Sequence, residues 1–174
     1  MMKYHDTEWG VPVHDDRKLF EFFVLDIFQA GLSWQTVLNK RENFRKAFND
    51  FEPAKIAKYN ERKITSLLNN PGIIRNRLKI ESVIKNARTV LKIQKEFGSF
   101  DAYLWQFVNG TTKRNHWKKL EDIPPTSPES DAMSKDMKKR GLKFAGSTIC
   151  YALMQSAGLV NDHLTFCFRY THCG

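Results

Sequence analysis

His5, His163 and Cys167 are the residues of this chain whose types and spacing most directly imply chemistry. His163 and Cys167 stand four residues apart, the separation at which two side chains share one face of a helix. An imidazole nitrogen and a thiolate sulfur are both good zinc ligands, but a structural site needs more than this pair supplies. The chain must return a further ligand from elsewhere, and His5, in Tyr4-His5-Asp6-Thr7-Glu8-Trp9-Gly10, is the best candidate. Such a site would clip the two ends of the chain together. Taken singly, each of these residues serves as readily in a core or on a surface.

A second chemical feature is the run Lys138-Lys139-Arg140-Gly141-Leu142-Lys143-Phe144-Ala145-Gly146-Ser147-Thr148. Gly141 and Gly146 allow a tight turn and a close approach of backbone to another surface. A helix starting at Ser147 would present unpaired N–H groups, which together with the helix dipole attract a phosphate. Four basic side chains surround the turn. This composition suits a hairpin between helices that grips a DNA backbone without reading sequence; a structural turn with solvated lysines has the same composition. A second basic run, Arg75-Asn76-Arg77-Leu78-Lys79, follows a turn at Gly72. It is either another backbone contact or a solvated helix face.

The overall charge agrees with an anionic partner. Lys and Arg number 28 against 19 Asp and Glu, giving +9 and a pI near 9.5, and nucleic acid is the commonest partner of such a surface. With 41% hydrophobic and 27% charged residues, the composition is that of an ordinary globular protein. No run of about 18 apolar residues occurs, so no membrane partner is expected. Lys3, His5, Asp6 and Glu8 interrupt any apolar start, which argues against a signal peptide. Three cysteines, an odd number, argue against a disulfide framework and fit a reducing cytoplasm.

The elements that must position these residues read as all-α. Asp15-Asp16 can cap a helix whose apolar residues Leu19, Phe20, Phe23, Val24 and Ile27 follow a 3.6 period. Gly31 interrupts it, Ser33 can cap the next, and Trp34, Val37, Leu38, Phe44 and Phe48 carry that stripe to about residue 50. Pro53 suits the first turn of a short helix, residues 61–69 give another, and 69–72 form a turn. A long basic helix is expected over 73–97, a brief aromatic segment over 100–108, and a polar, proline-bearing loop over 109–129. Two more helices, about 130–139 and 147–157, complete the pattern, with Gly158 as a C-cap. No β-alternation or internal repeat is evident, and residues 1–174 are expected to form a single domain.

With these segments in view, the chain resembles the 3-methyladenine DNA glycosylase I family, a branch of the helix-hairpin-helix DNA glycosylases, over essentially its whole length. The resemblance rests on Tyr4-His5-Asp6-x-Glu8-Trp9-Gly10-Val11-Pro12, on Gln29-Ala30-Gly31-Leu32-Ser33-Trp34 through Lys40-Arg41-Glu42-Asn43-Phe44, on Gly72-Ile73-Ile74-Arg75-x-Arg77-x-Lys79-Ile80, and on Gly158-Leu159-Val160-Asn161-Asp162-His163. It implies an all-α fold, a monomer, and hydrolysis of the bond between 3-methyladenine and deoxyribose in alkylated double-stranded DNA, with free 3-methyladenine as product. The base must be flipped out of the stack, and its positive charge makes it a good leaving group and a good partner for aromatic faces.

The resemblance also implies roles. Asp26 takes the place of the family's pocket glutamate, one methylene shorter. Tyr4 and Trp34 match aromatic pocket positions, with Trp9 as support; Trp34 also lies on an apolar stripe where core packing would hold it. Gly31-Leu32 corresponds to a loop that enters the duplex, with Leu32 as an apolar wedge. Lys139, Gly141, Lys143, Gly146 and Ser147 would hold the DNA backbone. Asn161 stands where many relatives carry a catalytic aspartate, and Thr148 where bifunctional relatives carry a Schiff-base lysine, so a monofunctional hydrolase is implied. The family's structural zinc raises His5, His163 and Cys167 to expected ligands. Its fourth ligand, a cysteine upstream of Tyr4, falls before Met1, leaving a late start on a longer chain, a three-residue site, or Cys173 in its place; Cys150, in an apolar helix, reads as core. The rival reading is a catalytically weak DNA-binding or damage-sensing relative with an altered pocket. An RNA-binding module finds no support, as no Gly-x-x-Gly clamp or aromatic RNP-like strand is present.

Overall fold

A computed structural model describes residues 1–173. Helices α1 (Met2–Thr7), α2 (Asp16–Gln29), α3 (Trp34–Ala47), α4 (Pro53–Ile56), α5 (Glu61–Leu68), α6 (Arg77–Phe97), α7 (Phe100–Trp105), α8 (Pro128–Lys139) and α9 (Ser147–Ser156) carry most of the chain. Their starts are written in the sequence. Asp15 accepts the Lys18 N–H at 2.8 Å and Ser33 the Thr36 N–H at 3.2 Å; Asn60, Asn76 and Ser99 cap α5, α6 and α7 in the same way. Each such cap is worth about 1 kcal/mol. Pro53 and Pro128 sit in first turns, where a missing N–H costs nothing.

α2 is the centre of the molecule. Every residue from Leu19 to Phe28 is buried, not only the expected stripe, as befits a helix enclosed on all sides. It touches α3, α6, α7 and α9, while α4 and α5 lie along α6, and α8 lies against α9. Phe20, Phe22, Phe23, Phe28, Phe44 and Phe48 are fully buried in the resulting core. Among the described residues no helix is long and apolar enough to cross a membrane.

Several local expectations are corrected. The long basic helix starts at Arg77 rather than Ile73, because the Asn76 side chain ends the turn as a cap. Residues 2–7 form a helix that carries no strong periodic signal. The loop over 109–129 holds a short strand, β1 (Lys113–Arg114), paired in parallel with β2 (Val160–Asn161); two residues are too few to show alternation. His163 and Cys167 do not share a helical face. His163 lies in irregular chain just before a turn that the Cys167 N–H closes by donating to the Leu164 carbonyl at 2.8 Å.

The N-terminal strap of residues 10–13 is stitched to the end of α9. Gly10 N–H donates to Gln155 O at 3.1 Å and Val13 N–H to Ala157 O at 3.0 Å. The closest approach is at Gly158, whose φ is +74° and where an added Cβ would stand 2.5 Å from the backbone of Val11 and Pro12. Neither the left-handed φ nor the clash can be relieved by moving a side chain, so Gly158→Ala should lower the unfolding free energy by roughly 3 kcal/mol. Denaturant unfolding of the purified variant measures this directly.

Candidate functional site

The N-terminal segment is oriented by ion pairs that start deep in the core. Arg41 of α3 and Glu21 of α2 are both buried, and the guanidinium Nε meets the carboxylate at 2.6 Å. The same guanidinium reaches Glu8 at 2.9 Å through Nη1, and Lys18 approaches Glu8 at 3.2 Å. Burial pulls the Glu8 carboxyl upward, but Arg41 and Lys18 outweigh it and hold it below the usual range. Glu8 is thereby fixed over α2 and α3, and Tyr4 and Trp9 are carried to the same place.

There they line a cavity of about 480 Å³ together with Asp26, Gln29, Trp34 and Ser156. The Tyr4 and Trp34 rings are tilted at 56° with centroids 5.5 Å apart. Asp26 is only 4% exposed, and its Oδ2 has no hydrogen-bond partner among the described residues. The indole Nε1 of Trp34 is likewise unpartnered. Burial alone raises the Asp26 carboxyl well above its usual value. The Tyr4 phenol is also raised, first by burial and further by Asp26; Ser156 pulls against this without lying in hydrogen-bond geometry. The cavity thus offers aromatic faces and one desolvated carboxyl that no described residue satisfies. A flat ligand carrying positive charge would satisfy it.

His5, His163 and Cys167 come together at the edge of this cavity, with one ligand atom from each lying within 4.8 Å of the others. Cys167 Sγ is 3.7 Å from His5 Nε2 and 3.8 Å from His163 Nδ1. The outer nitrogens are engaged: His5 Nδ1 with Asp6 at 2.8 Å, His163 Nε2 with the Trp9 carbonyl at 3.1 Å. Such partners orient ligating imidazoles and set the tautomer, so the donor set fits a metal. Cys173 does not join it. Its Sγ lies 3.6 Å from His163 Nε2, on the far side of the ring from Cys167, and accepts from Arg169 at 3.1 Å. One ion cannot use both nitrogens of one imidazole. Cys150 is core as expected, its thiol pushed up to about 12 by burial.

Asn161 is not among the residues that line the cavity. Its amide donates to the Tyr170 and Cys173 carbonyls and accepts the His163 N–H, organising the C-terminal turns. Sequence reasoning missed its neighbour as a site residue. Asp162 is buried and accepts from Asn115 and Trp117 through one oxygen and from Tyr151 and Gln155 through the other. These partners are distributed over residues 115–155, and no local spacing announces them. Gln29, Gln155 and Ser156 are further cavity residues without a distinctive signal.

The two glycine turns lie elsewhere on the surface. Gly31 has φ +83° and open space where a Cβ would be, and Leu32 beside it is 43% exposed. Between α8 and α9, Gly141 has φ +92°, Phe144 also adopts a left-handed φ of 56°, and Gly146 caps α9 without a side-chain bond. Lys138, Lys139 and Lys143 are exposed. Arg140 is not available: it pairs with Asp136 at 2.6 Å and Glu96 at 2.7 Å and lies over the Phe97 ring. The Ser147 hydroxyl is held by Ser130 and Asp131. In the second basic run Arg77 pairs with Glu61 and Glu81, and Lys79 is buried, leaving Arg75 exposed.

A helical protein with an aromatic cavity holding one unsatisfied carboxyl, and with exposed glycine turns elsewhere on its surface, has the build of a base-binding enzyme, and comparison with known proteins narrows this. The pattern of the methyladenine glycosylase family matches residues 1–170, and the chain belongs to that family. DNA-3-methyladenine glycosylase 1 of Escherichia coli (strain K12) is 48% identical over 167 residues, 96% of this chain and 89% of its own length. A crystal structure of 3-methyladenine DNA glycosylase I superposes with a TM-score of 0.93 at 51% identity, covering 96% of this chain and 92% of that one. A tyrosine-to-phenylalanine variant of such an enzyme in complex with 3-methyladenine gives the same TM-score at 36% identity, covering 96% and 90%.

The unpartnered carboxyl has a thermodynamic signature. Because the folded state raises the Asp26 pKa, unfolding releases a proton once pH exceeds the unfolded value, and stability falls as pH rises. Asp26→Asn removes that loss. Its stability advantage over wild type should be absent below about pH 4 and grow by about 1.4 kcal/mol per pH unit until Asp26 ionises in the folded state. Urea unfolding of both proteins across pH 3–8 checks it; parallel curves would show that Asp26 is not desolvated.

Proposed function

We propose that this chain is a monofunctional DNA glycosylase that releases 3-methyladenine from alkylated duplex DNA by hydrolysing its N-glycosidic bond. The observation that carries this reading is the lone unsatisfied carboxyl of Asp26 among the rings of Tyr4, Trp9 and Trp34. A base methylated at N3 is cationic. Entering this cavity, it would place its charge beside aromatic faces and give Asp26 the partner it lacks, drawing that carboxyl to its ionised form. Neutral adenine brings no charge to offset desolvation, which gives selectivity without sequence reading.

The cation is already a good leaving group, so the residues have little covalent work. They bind and orient the base once it has left the stack, which costs a few kcal/mol. Thr148, on the first turn of α9, offers no amine for a Schiff base, and water is the nucleophile. Leu32, on the turn at Gly31, serves as the wedge that fills the vacated position. The α8–turn–α9 unit is read as the helix-hairpin-helix. Gly141 and Gly146 admit the backbone, the Ser147 N–H faces a phosphate at the start of α9, and Lys139 and Lys143 add charge. Lesion and hairpin sites come from one chain, so the reading is of a monomer working in the cytoplasm. A weak damage-sensing relative is favoured only by the aspartate standing where the family carries glutamate.

His5, His163 and Cys167 are proposed to hold a structural zinc. The ion would supply no chemistry to the reaction; it would join segments 162 residues apart, so that its binding energy becomes folding energy.

Incubated with alkylated duplex DNA, the protein should release free 3-methyladenine and leave 7-methylguanine largely untouched. Asp26→Asn should depress release far more than DNA binding, whereas Lys143→Ala should weaken binding and reduce the slope of log affinity against log salt by about one. DNA binding without release of any base selects the damage-sensing reading. Chelation should lower the melting temperature while the still-folded fraction keeps its excision rate. Loss of excision in fully folded, metal-stripped protein overturns the structural assignment.

A further inference from the structure

Lys79 is 7% exposed and has no carboxylate partner among the described residues. Its ammonium instead donates to two backbone carbonyls of another helix, Phe28 O at 3.1 Å and Ala30 O at 2.7 Å. Ala30 is the C-cap of α2, and the next residues are Gly31 and Leu32. A cation at a helix C-terminus satisfies carbonyls that have no partner within the helix. An ammonium whose only partners are neutral is nevertheless expensive to bury, and desolvation does lower the Lys79 pKa. For packing alone, an apolar side chain would serve better.

Two turns further along α6, Asn86 does the equivalent for the other exposed turn. It is fully buried, its Nδ2 donates to the Lys143 carbonyl at 3.0 Å, and its Oδ1 accepts the Lys143 N–H at 2.7 Å. Seven residues of helix bring the two side chains back to nearly the same face about 10 Å apart. Each is buried, and each ties the backbone of a different glycine turn to α6.

We infer that Lys79 and Asn86 are positioning residues, and that α6 is a rigid spacer holding the Leu32 loop at a fixed distance from the Lys143 hairpin. This rests on reading those turns as wedge and phosphate grip. A wedge must push against base stacking worth a few kcal/mol. A loop held only by solvent would yield to that load. A phosphate grip gives the wedge its leverage only while the two parts cannot move relative to one another. Lys79 therefore acts on extrusion of the base, and Asn86 on seating of the backbone.

The test uses the full chain carrying Lys79→Met, which keeps length and removes charge, with Asn86→Ala and Leu32→Ala in parallel. Lys79→Met should lower kcat on alkylated duplex DNA by roughly tenfold, the scale of one lost charge-assisted hydrogen bond. Its affinity for undamaged duplex and for free 3-methyladenine should not change. On alkylated single strands, where no complete stack resists extrusion, its rate should return close to wild type. Asn86→Ala should raise KM for duplex and leave free-base affinity and the single-strand rate intact. Leu32→Ala that slows duplex excision beside a Lys79→Met of wild-type rate overturns the inference alone. Silence of both variants overturns the wedge reading and this inference with it. Loss of free-base binding in Lys79→Met would show a merely structural role and overturn it as well.

Discussion

A carboxyl buried without a partner is the constraint on which the arrangement of this molecule turns. α2 is enclosed on every side and yet carries two acids in its buried run. Glu21 meets Arg41 and Arg45. Asp26, five residues on, has an Oδ2 with no hydrogen-bond partner among the described residues. An isolated carboxylate in such surroundings shifts its pKa instead of bearing its charge. The desolvation that penalises the empty, ionised state also leaves little solvent to screen an incoming cation. Under the proposed function, one physical condition thus accounts for an idle group in the free protein and an attraction for a cationic base.

Two of the aromatic faces, Tyr4 and Trp9, have to be brought to that carboxyl from the N-terminal segment, and the structure fastens them there by unlike means. Glu8 is held by Arg41 and Lys18, the strap at Val11 and Pro12 by its contact with Gly158, and Trp9 through its carbonyl by His163. His163 thus contributes one nitrogen to the His/Cys cluster and the other to a cavity residue. The cluster and the cavity are two sides of a single wall, which is why a group with no part in the proposed chemistry stands at the edge of the site.

What could be read from the sequence follows from how local each signal is. Caps at Asp15 and Ser33 and the first-turn Pro53 need only a few adjacent residues, and those helices start as expected. His5, His163 and Cys167 were legible because few residue types make good ligands, although irregular chain and a turn stand where a helical face between His163 and Cys167 was expected. The parallel pair β1–β2 was illegible, since its partners are two residues each and far apart in sequence. Asp162 was illegible for the same reason: its donors Asn115, Trp117, Tyr151 and Gln155 carry no common pattern. Buried Lys79 lay inside a basic run, and its charge suggested solvent or phosphate; only the fold reveals that it faces the end of α2.

The same distinction governs the meaning of the net charge. A balance of +9 invites the picture of a broadly basic DNA-binding face, but many of the cations are committed within the protein. Arg41 and Arg45 hold Glu21, Arg77 holds Glu61 and Glu81, Arg140 holds Glu96 and Asp136, and Lys79 holds carbonyls. Near the α8–α9 turn the exposed set is Lys138, Lys139 and Lys143, beside N–H groups at the start of α9. Under the proposed function that is a modest grip, with discrimination delegated to the cavity. An enzyme that must test bases wherever damage falls gains nothing from reading sequence. It needs contact loose enough to move along the duplex and a pocket that responds to one property of the extruded base. Under that reading Asp26, whose carboxyl burial raises above its usual value, is the group that responds to that property.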